Sequence, residues 1–325
     1  GQRRVYGVEE TIGSRFFQYY VGRLVEAPEP AEHPMYHSLF VLPFGYWIDQ
    51  EQWVPVVHVS EEVVDDLRDD PFQVAATVED GKDYFSYDHH CANCHSTFAL
   101  GDLILRAFPR LGHYSPHTVH FSMAGHLAEA HPELWPQGKR SFDISEDEMA
   151  AMMTAVTQFR ASEHGVSMGI SCGACHLGVK EHAEGRMKKP PFFPNSPHLH
   201  VEYGDEEKKQ DIDFGLNPIS INAACARCHS GQRPEFVAGM STWNSIEFTD
   251  ALRSPCFVEA TCVDCHEPHQ AIGKAWTKTP AQDDASCLKC HQRFADDKLL
   301  KAHTHHKVGS SGSRCMNCHM PRLNE

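Results

Sequence analysis

The chain has 325 residues, with 29 basic against 44 acidic side chains, 13 Cys and 24 His, and a formal charge of −15 at pH 7. That acidity argues against nucleic acid or an anionic membrane surface as the main partner, and the length exceeds that of a miniprotein stapled by disulfides. The longest apolar runs are only a few residues, so no stretch reads as a transmembrane segment, while the surplus of Cys and His is the composition of a cofactor protein.

The chain opens at Gly1 without Met and without an export leader, which leads us to expect a processed N-terminus. Residues 1–85 read as a β-rich segment. Strands are expected from Phe16 to Val25, Leu39 to Trp47 and Trp53 to Val59, rich in Val, Tyr, Phe and Trp and broken by turns such as Ala27-Pro28-Glu29-Pro30. Helices are expected next, from Ala99 to Phe108, Thr118 to Ala130 and Glu146 to Arg160. The last begins with a capping box from Ser145 to Glu148, and its Met149, Met152 and Met153 read as core packing. After Cys172 the pattern loosens into short helices and loops. Pro190, Pro191, Pro194 and Pro197 punctuate one loop, and Gly204 to Asp213 reads as a solvated mixed-charge stretch.

Twelve of the 13 cysteines fall into six copies of one pattern, Cys-x-x-Cys-His: Cys91, Cys94 and His95; Cys172, Cys175 and His176; Cys225, Cys228 and His229; Cys262, Cys265 and His266; Cys287, Cys290 and His291; Cys315, Cys318 and His319. Chance predicts roughly 0.04 copies of a pattern that reads as c-type haem attachment. Two thiols three positions apart can each add across one vinyl group of a porphyrin, and the adjoining His then reaches the iron. Disulfides would not require a His after each pair, nor would zinc sites built from paired Cys-x-x-Cys units. Six covalent haem c groups are expected, and thioether attachment implies an exported, periplasmic or extracellular protein. From each proximal His to the next first Cys the steps are 77, 49, 33, 21 and 24 residues. With so little chain per cofactor toward the C-terminus, haem faces would supply much of the apolar core there.

Six proximal His leave 18 for the opposite faces of six irons, so bis-His ligation throughout is attainable. The candidate distal ligands are His90, His164, His182, His200, His269, His303 and His306, and His305 lies in the same His-Thr-His-His run. His269 ends Cys265-His266-Glu267-Pro268-His269, where Pro268 stiffens the turn. A further group, His113, His117, His120, His126 and His131, is spaced so that part of it could share a helix face. The remaining Cys256 stands open between a buried small hydrophobe, a thiolate ligand and half of an intermolecular disulfide.

The tracts Thr11-Ile-Gly-Ser-Arg15, Phe17-Gln-Tyr-Tyr-Val-Gly22, Leu42-Pro-Phe-Gly-Tyr-Trp47, Gly169-Ile-Ser-Cys172, Gly239-Met-Ser-Thr-Trp-Asn244 and Cys315-Met-Asn-Cys-His-Met-Pro321 resemble a group of bacterial multihaem c-type cytochromes sometimes fused to tetratricopeptide repeats. The resemblance covers nearly the whole chain and implies periplasmic or extracellular electron transfer by bis-His haems. It also matches His269 and His303 to His306 to the group's ligand tracts. Relatives often carry another haem-attachment segment before the Ile-Gly-Ser-Arg tract and a His-bearing tail after the last motif. This sequence has neither, which leaves two expectations open: a fragment of a longer chain, or completion of its ligand set by another cytochrome chain.

The expected fold is a multihaem cytochrome of mainly short α-helices and irregular loops wrapped round covalent haems, with residues 1–85 as a β-rich haem-free segment and 86–325 as a hexahaem domain. The expected function is haem-to-haem electron carriage with redox partner proteins bearing basic docking faces, including assembly into a homo-oligomer or filament. The alternative is an oxidoreductase with one open-faced haem acting on a small nitrogen or sulfur compound. No catalytic residue is expected under the first reading.

Overall fold

A computed structural model describes residues 3–13, 17–48, 50–55, 86–107, 117–192, 196–203, 216–230, 247–252, 254–269 and 279–320. The chain divides into two compact units. The first comprises Gly1–Phe108 and Phe121–Ala174, the second Pro109–His120 and Cys175–Glu325.

The first unit begins with a four-stranded antiparallel meander, β1 (Val5–Ile12), β2 (Phe17–Glu26), β3 (Phe40–Trp47) and β4 (Gln52–Pro55), hydrogen-bonded in sequence order. β2, β3 and β4 follow the β-branched and aromatic runs of the sequence, although the last expected strand extends beyond Pro55, outside the described residues. β1 was not among the expected strands. Gly7, Glu9 and Glu10 weaken its local signal, and it forms because β2 supplies its hydrogen-bond partners. The two strands cross closely at Gly22, where an added Cβ would strike the Gly7 carbonyl, so only a glycine fits. Leu24, Met35 and Phe40 form a buried cluster with Tyr6, Ala27 and Tyr36 packed against it.

Behind the sheet in sequence, a π-helical turn, Tyr87–Cys91, leads into α1 (Ala92–His95), followed by α2 (Leu100–Ala107). The expected helix from Thr118 to Ala130 divides in two. Residues His117–Phe121 form β5, which pairs with β6 (Leu199–Tyr203), and Ser122 caps α3 (Met123–Ala130) by accepting from the Gly125 amide at 3.3 Å. A β-branched and aromatic run at residues 118–121 takes the strand form once a distant segment offers a ladder, which no local periodicity can reveal. α4 (Glu146–Gln158) carries the expected capping box, with the Glu148 amide 3.2 Å from Ser145 Oγ and the Ser145 amide 2.9 Å from Glu148 Oε2. Its Met152 and Val156 join Leu105 and Leu127 in the unit's second core cluster, flanked by Met149 and Met153. A short α5 (Ala161–His164) follows.

The remaining elements are short: α6 (Cys172–Cys175), α7 (Val179–Ala183), α8 (Pro218–Ala226), α9 (Glu247–Ala251), α10 (Pro280–Leu288), α11 (Asp297–Thr304) and α12 (Cys315–His319). Local signals start them. Asn217 and Thr279 cap α8 and α10 with Pro at the first helical position, and Asp296 accepts from the Lys298 and Leu299 amides at 2.9 and 3.0 Å. Among the described residues of 254–320, Ser313 is the only one buried. The described helices of residues 254–320 therefore lack an apolar side-chain core of their own. The stretch 204–213 lies outside the described residues.

Candidate functional site

Each Cys-x-x-Cys-His motif sits on a single helical turn. In three of them the His amide donates to the first Cys carbonyl, His229 to Cys225 at 2.9 Å, His266 to Cys262 at 2.9 Å and His291 to Cys287 at 3.0 Å. Positions i, i+3 and i+4 of such a turn share a face, so both thiols and the imidazole point to one side. No two of the 13 cysteines form a disulfide. Burial, reinforced by the neighbouring Cys94, pushes the Cys91 thiol up to about 11. Burial and the nearby Asp284 charge push Cys315 to about 11 as well.

Successive motifs are joined by polar side chains that the sequence reading did not single out. Thr97, just past the first motif, accepts the Ser171 amide on Oγ1 at 2.9 Å and donates to the Gly169 carbonyl at 2.8 Å, while its backbone pairs with Ser167 and Val166. It holds the segment that enters Cys172. Asn222, three residues before Cys225, is buried, accepts the Cys262 amide at 2.8 Å and donates to the Ala260 carbonyl at 2.9 Å. Asp284, three residues before Cys287, accepts the Cys315 amide at 3.1 Å and the Arg314 guanidinium at 2.8 Å. The same offset thus ties the third motif to the fourth and the fifth to the sixth. The thiols agree with this pairing. Cys225 hydrogen-bonds Cys262, which raises Cys225 and lowers Cys262, and Cys287 hydrogen-bonds Cys315. Cys175 also lies close enough to raise Cys225, and Cys265 close enough to raise Cys287. The shared offset of −3 is the signal that could have revealed Asn222 and Asp284, but an Asn or Asp there is too common to be noticed without the contact.

Imidazole rings face one another at two motifs. His176 and His269 have ring centres 6.1 Å apart with planes at 24°, and His319 and His303 stand 5.9 Å apart at 7°. Two imidazoles bound to one iron would have centres about 6 Å apart, because each metal–nitrogen bond is about 2 Å and each ring centre lies roughly 1 Å further back. The donor set therefore fits a six-coordinate haem at both places: two thiols, a proximal His and a second His at iron-spanning distance. His176 Nδ1 is buried without a hydrogen bond of full geometry. Burial lowers the pKa of that ring, the neighbouring His269 lowers it further, and the Pro190 backbone opposes both. Burial and His269 thus favour the neutral ring, the form that ligates a metal.

Comparison with known proteins bears on these motifs. The family model described as the doubled CXXCH motif matches residues 255–296, which include the fourth and fifth motifs. The chain is 22% identical over 148 residues to the cytochrome c-type protein NapC of Haemophilus influenzae, a match covering 33% of this chain and 69% of that protein. It is 23% identical over 150 residues to a protein of Allochromatium vinosum described as a tetraheme cytochrome-c type, covering 33% of this chain and 76% of the relative. No solved structure matches. The chain is a bacterial multihaem c-type cytochrome. Its chemistry is electron transfer through covalently held haem c.

In this cytochrome the other candidate ligands are placed as follows. His164 stacks on Phe159 at 3.8 Å and 11°. His182 Nδ1 lies 3.1 Å from the Met187 carbonyl. His200 faces His120 across the β5–β6 pair at 6.1 Å and 29°. The His306 ring packs against Gly312, where an added Cβ would collide with it. The His90 side chain and His113 lie outside the described residues. The histidines from His117 to His131 do not share a helix face, because His117 and His120 are on β5. His126, on α3, and His131 instead converge on Asp102. Cys256 is exposed on a 3-10 turn capped by Ser254, which removes the reading of it as a buried hydrophobe.

Proposed function

We propose that this cytochrome carries electrons outside the cytoplasm through six covalently bound haem c groups, attached along residues 86–325, while residues 1–85 attach none. The observation that carries the reading is the chain of motif-to-motif contacts in residues 172–319. Thiols and buried or capping side chains of successive motifs adjoin, which supports a series of attachment points. Haem supplies reversible one-electron chemistry when bound. The protein's own part is to anchor and orient. Each thiol pair fixes one edge of the group, the proximal imidazole takes one axial position, and His269 and His303 are the residues we assign opposite His176 and His319. His200, His164, His182, His306 and His90 remain the candidates for the other irons.

A ring held between two fixed imidazoles exposes no open coordination position, which favours carriage over substrate conversion. Haem propionates would add to the sequence charge of −15, so redox partners with basic docking faces fit best. Assembly into a homo-oligomer or filament, or with another cytochrome chain that completes a ligand set, is a separate part of the proposal. No helix among the described residues is long and apolar enough to cross a membrane.

The test is a haem-to-protein ratio by pyridine haemochrome together with carbon monoxide binding to the reduced protein. Six haems per chain and an unchanged reduced spectrum are expected. Substituting His269→Ala or His303→Ala should each convert one low-spin iron in six to a carbon monoxide-binding form. Fewer than six haems would overturn the count, and carbon monoxide binding by the unsubstituted protein would overturn saturated ligation.

A further inference from the structure

We propose that Asp102, His126 and His131 form a site for one divalent transition-metal ion, separate from the haem motifs. The three side chains come from α2, α3 and the residue that ends α3, and all are buried at 4, 8 and 7% exposure. One carboxylate oxygen, Asp102 Oδ1, lies 2.8 Å from His126 Nε2 and 2.7 Å from His131 Nε2. One donor atom from each residue lies within 4.8 Å of the other two.

The decisive feature is His131. Its Nε2 faces Asp102, and its Nδ1 faces Glu133 Oε1 at 3.2 Å. A neutral imidazole has a single N–H, so one of the two carboxylates would meet a lone pair. A cation between His131 Nε2 and Asp102 removes that conflict. Nδ1–H then donates to Glu133, the carboxylate–histidine–metal arrangement that fixes the tautomer and strengthens the ligand. One carboxylate thus faces both imidazoles, and a second, Glu133, stands behind His131.

The neighbouring cation, Arg106, feels the charge of Asp102 but makes its hydrogen bonds elsewhere. Arg106, one turn on from Asp102, directs its guanidinium at Asn93 Oδ1 and at the Asp88, Val156 and Phe159 carbonyls. The pocket is also built to close packing. Gly101 lets the α2 backbone lie against the His126 ring, where a Cβ would collide, although glycine inside a helix costs about 1 kcal/mol. Phe121 and Phe159 flank the two rings at 5.6 and 5.1 Å.

Two histidines and one carboxylate with open positions suit zinc or ferrous iron. Donor atoms around a tetrahedral zinc stand roughly 3.3 Å apart, so Asp102 would withdraw by about half an ångström from each imidazole. Three protein ligands leave at least one position for water or another small ligand.

Holoprotein stripped with a chelator and then equilibrated with Zn2+ provides the test, with retained zinc counted by elemental analysis after desalting. The unsubstituted protein should hold one more zinc per chain than His126→Gln, and X-ray absorption should show two nitrogen ligands and an oxygen. Glu133→Gln removes an exposed carboxylate and leaves the core intact, so it keeps the protein folded if His126→Gln does not. It should weaken zinc binding about 10- to 100-fold. No retained zinc, or zinc binding equal in the unsubstituted protein and Glu133→Gln, would overturn the site and leave a proton as the ion between Asp102 and His131.

Discussion

The strands of residues 5–55 and the tail of residues 254–320 are both regular, capped structure, but they are held in different ways. The sheet closes on side chains. Leu24, Met35 and Phe40 bury one another, and Tyr20, Tyr46 and Phe44 pack on the exposed Trp53 with ring centres 5.2 to 6.0 Å from it. The tail has caps, ladders of backbone hydrogen bonds and the Asp284 tie, but among its described residues only Ser313 is buried. Caps and short helices are worth about 1 kcal/mol apiece and do not hold isolated four- to nine-residue helices in water. The difference teaches where cofactors would do structural work: the front of the chain closes on its own side chains, whereas the tail needs apolar surface from elsewhere, which the proposed haems would supply.

Four measurements would break or sharpen this contrast. The largest effect should follow from withholding haem. In apoprotein, hydrogen exchange across residues 279–320 should approach the unprotected rate while β2 and β3 stay protected, and protected tail amides would refute the contrast. Next, Leu127→Ala or Met152→Ala should cost about 2–5 kcal/mol in unfolding of the first unit by opening its core, with the tail's haem spectrum unchanged. A third variant, Asn222→Ala, strands the Cys262 amide and the Ala260 carbonyl, and should cost about 1–3 kcal/mol in holoprotein denaturation. It should also lower haem loading at the fourth motif. The smallest effect is one of pH. Lys139 beside Glu148, with the Ser145 amide and hydroxyl, holds that carboxyl down to about 2 from 4.5. A depressed acid stabilises the folded chain above its unfolded pKa and loses that contribution as pH falls through the folded one. Melting temperature should therefore decline between about pH 4.5 and 2, and the decline should be shallower in Glu148→Gln.

The residue Arg314 shows why the joints were harder to read than the motifs. It pairs with Asp284, 30 positions earlier, and helps carry that carboxylate to the Cys315 amide. Nothing in the spacing of the sixth motif announces it. Thr97 and Asn222 are similar: their importance lies in which distant amide they meet. By contrast, the Ser145–Glu148 box and the Met152 stripe were legible because helix caps and helix faces are local, with periods of three and four residues. Residues 118–121 fall between these cases, since their strand form depends on β6.

Composition and spacing alone determine the chemistry of this protein. Six Cys-x-x-Cys-His runs need no fold to be recognised, because thioether attachment and proximal ligation are completed within five consecutive residues. The candidate distal partners are different in kind. Eighteen histidines compete for the remaining positions, and only folding brought His269 opposite His176 and His303 opposite His319. It also gathered Asp102, His126 and His131 around one oxygen. An axial pair or a metal pocket is a meeting in space of residues far apart in the chain. Such meetings are set by strand pairing, helix packing and buried hydrogen bonds, none of which is written in local order.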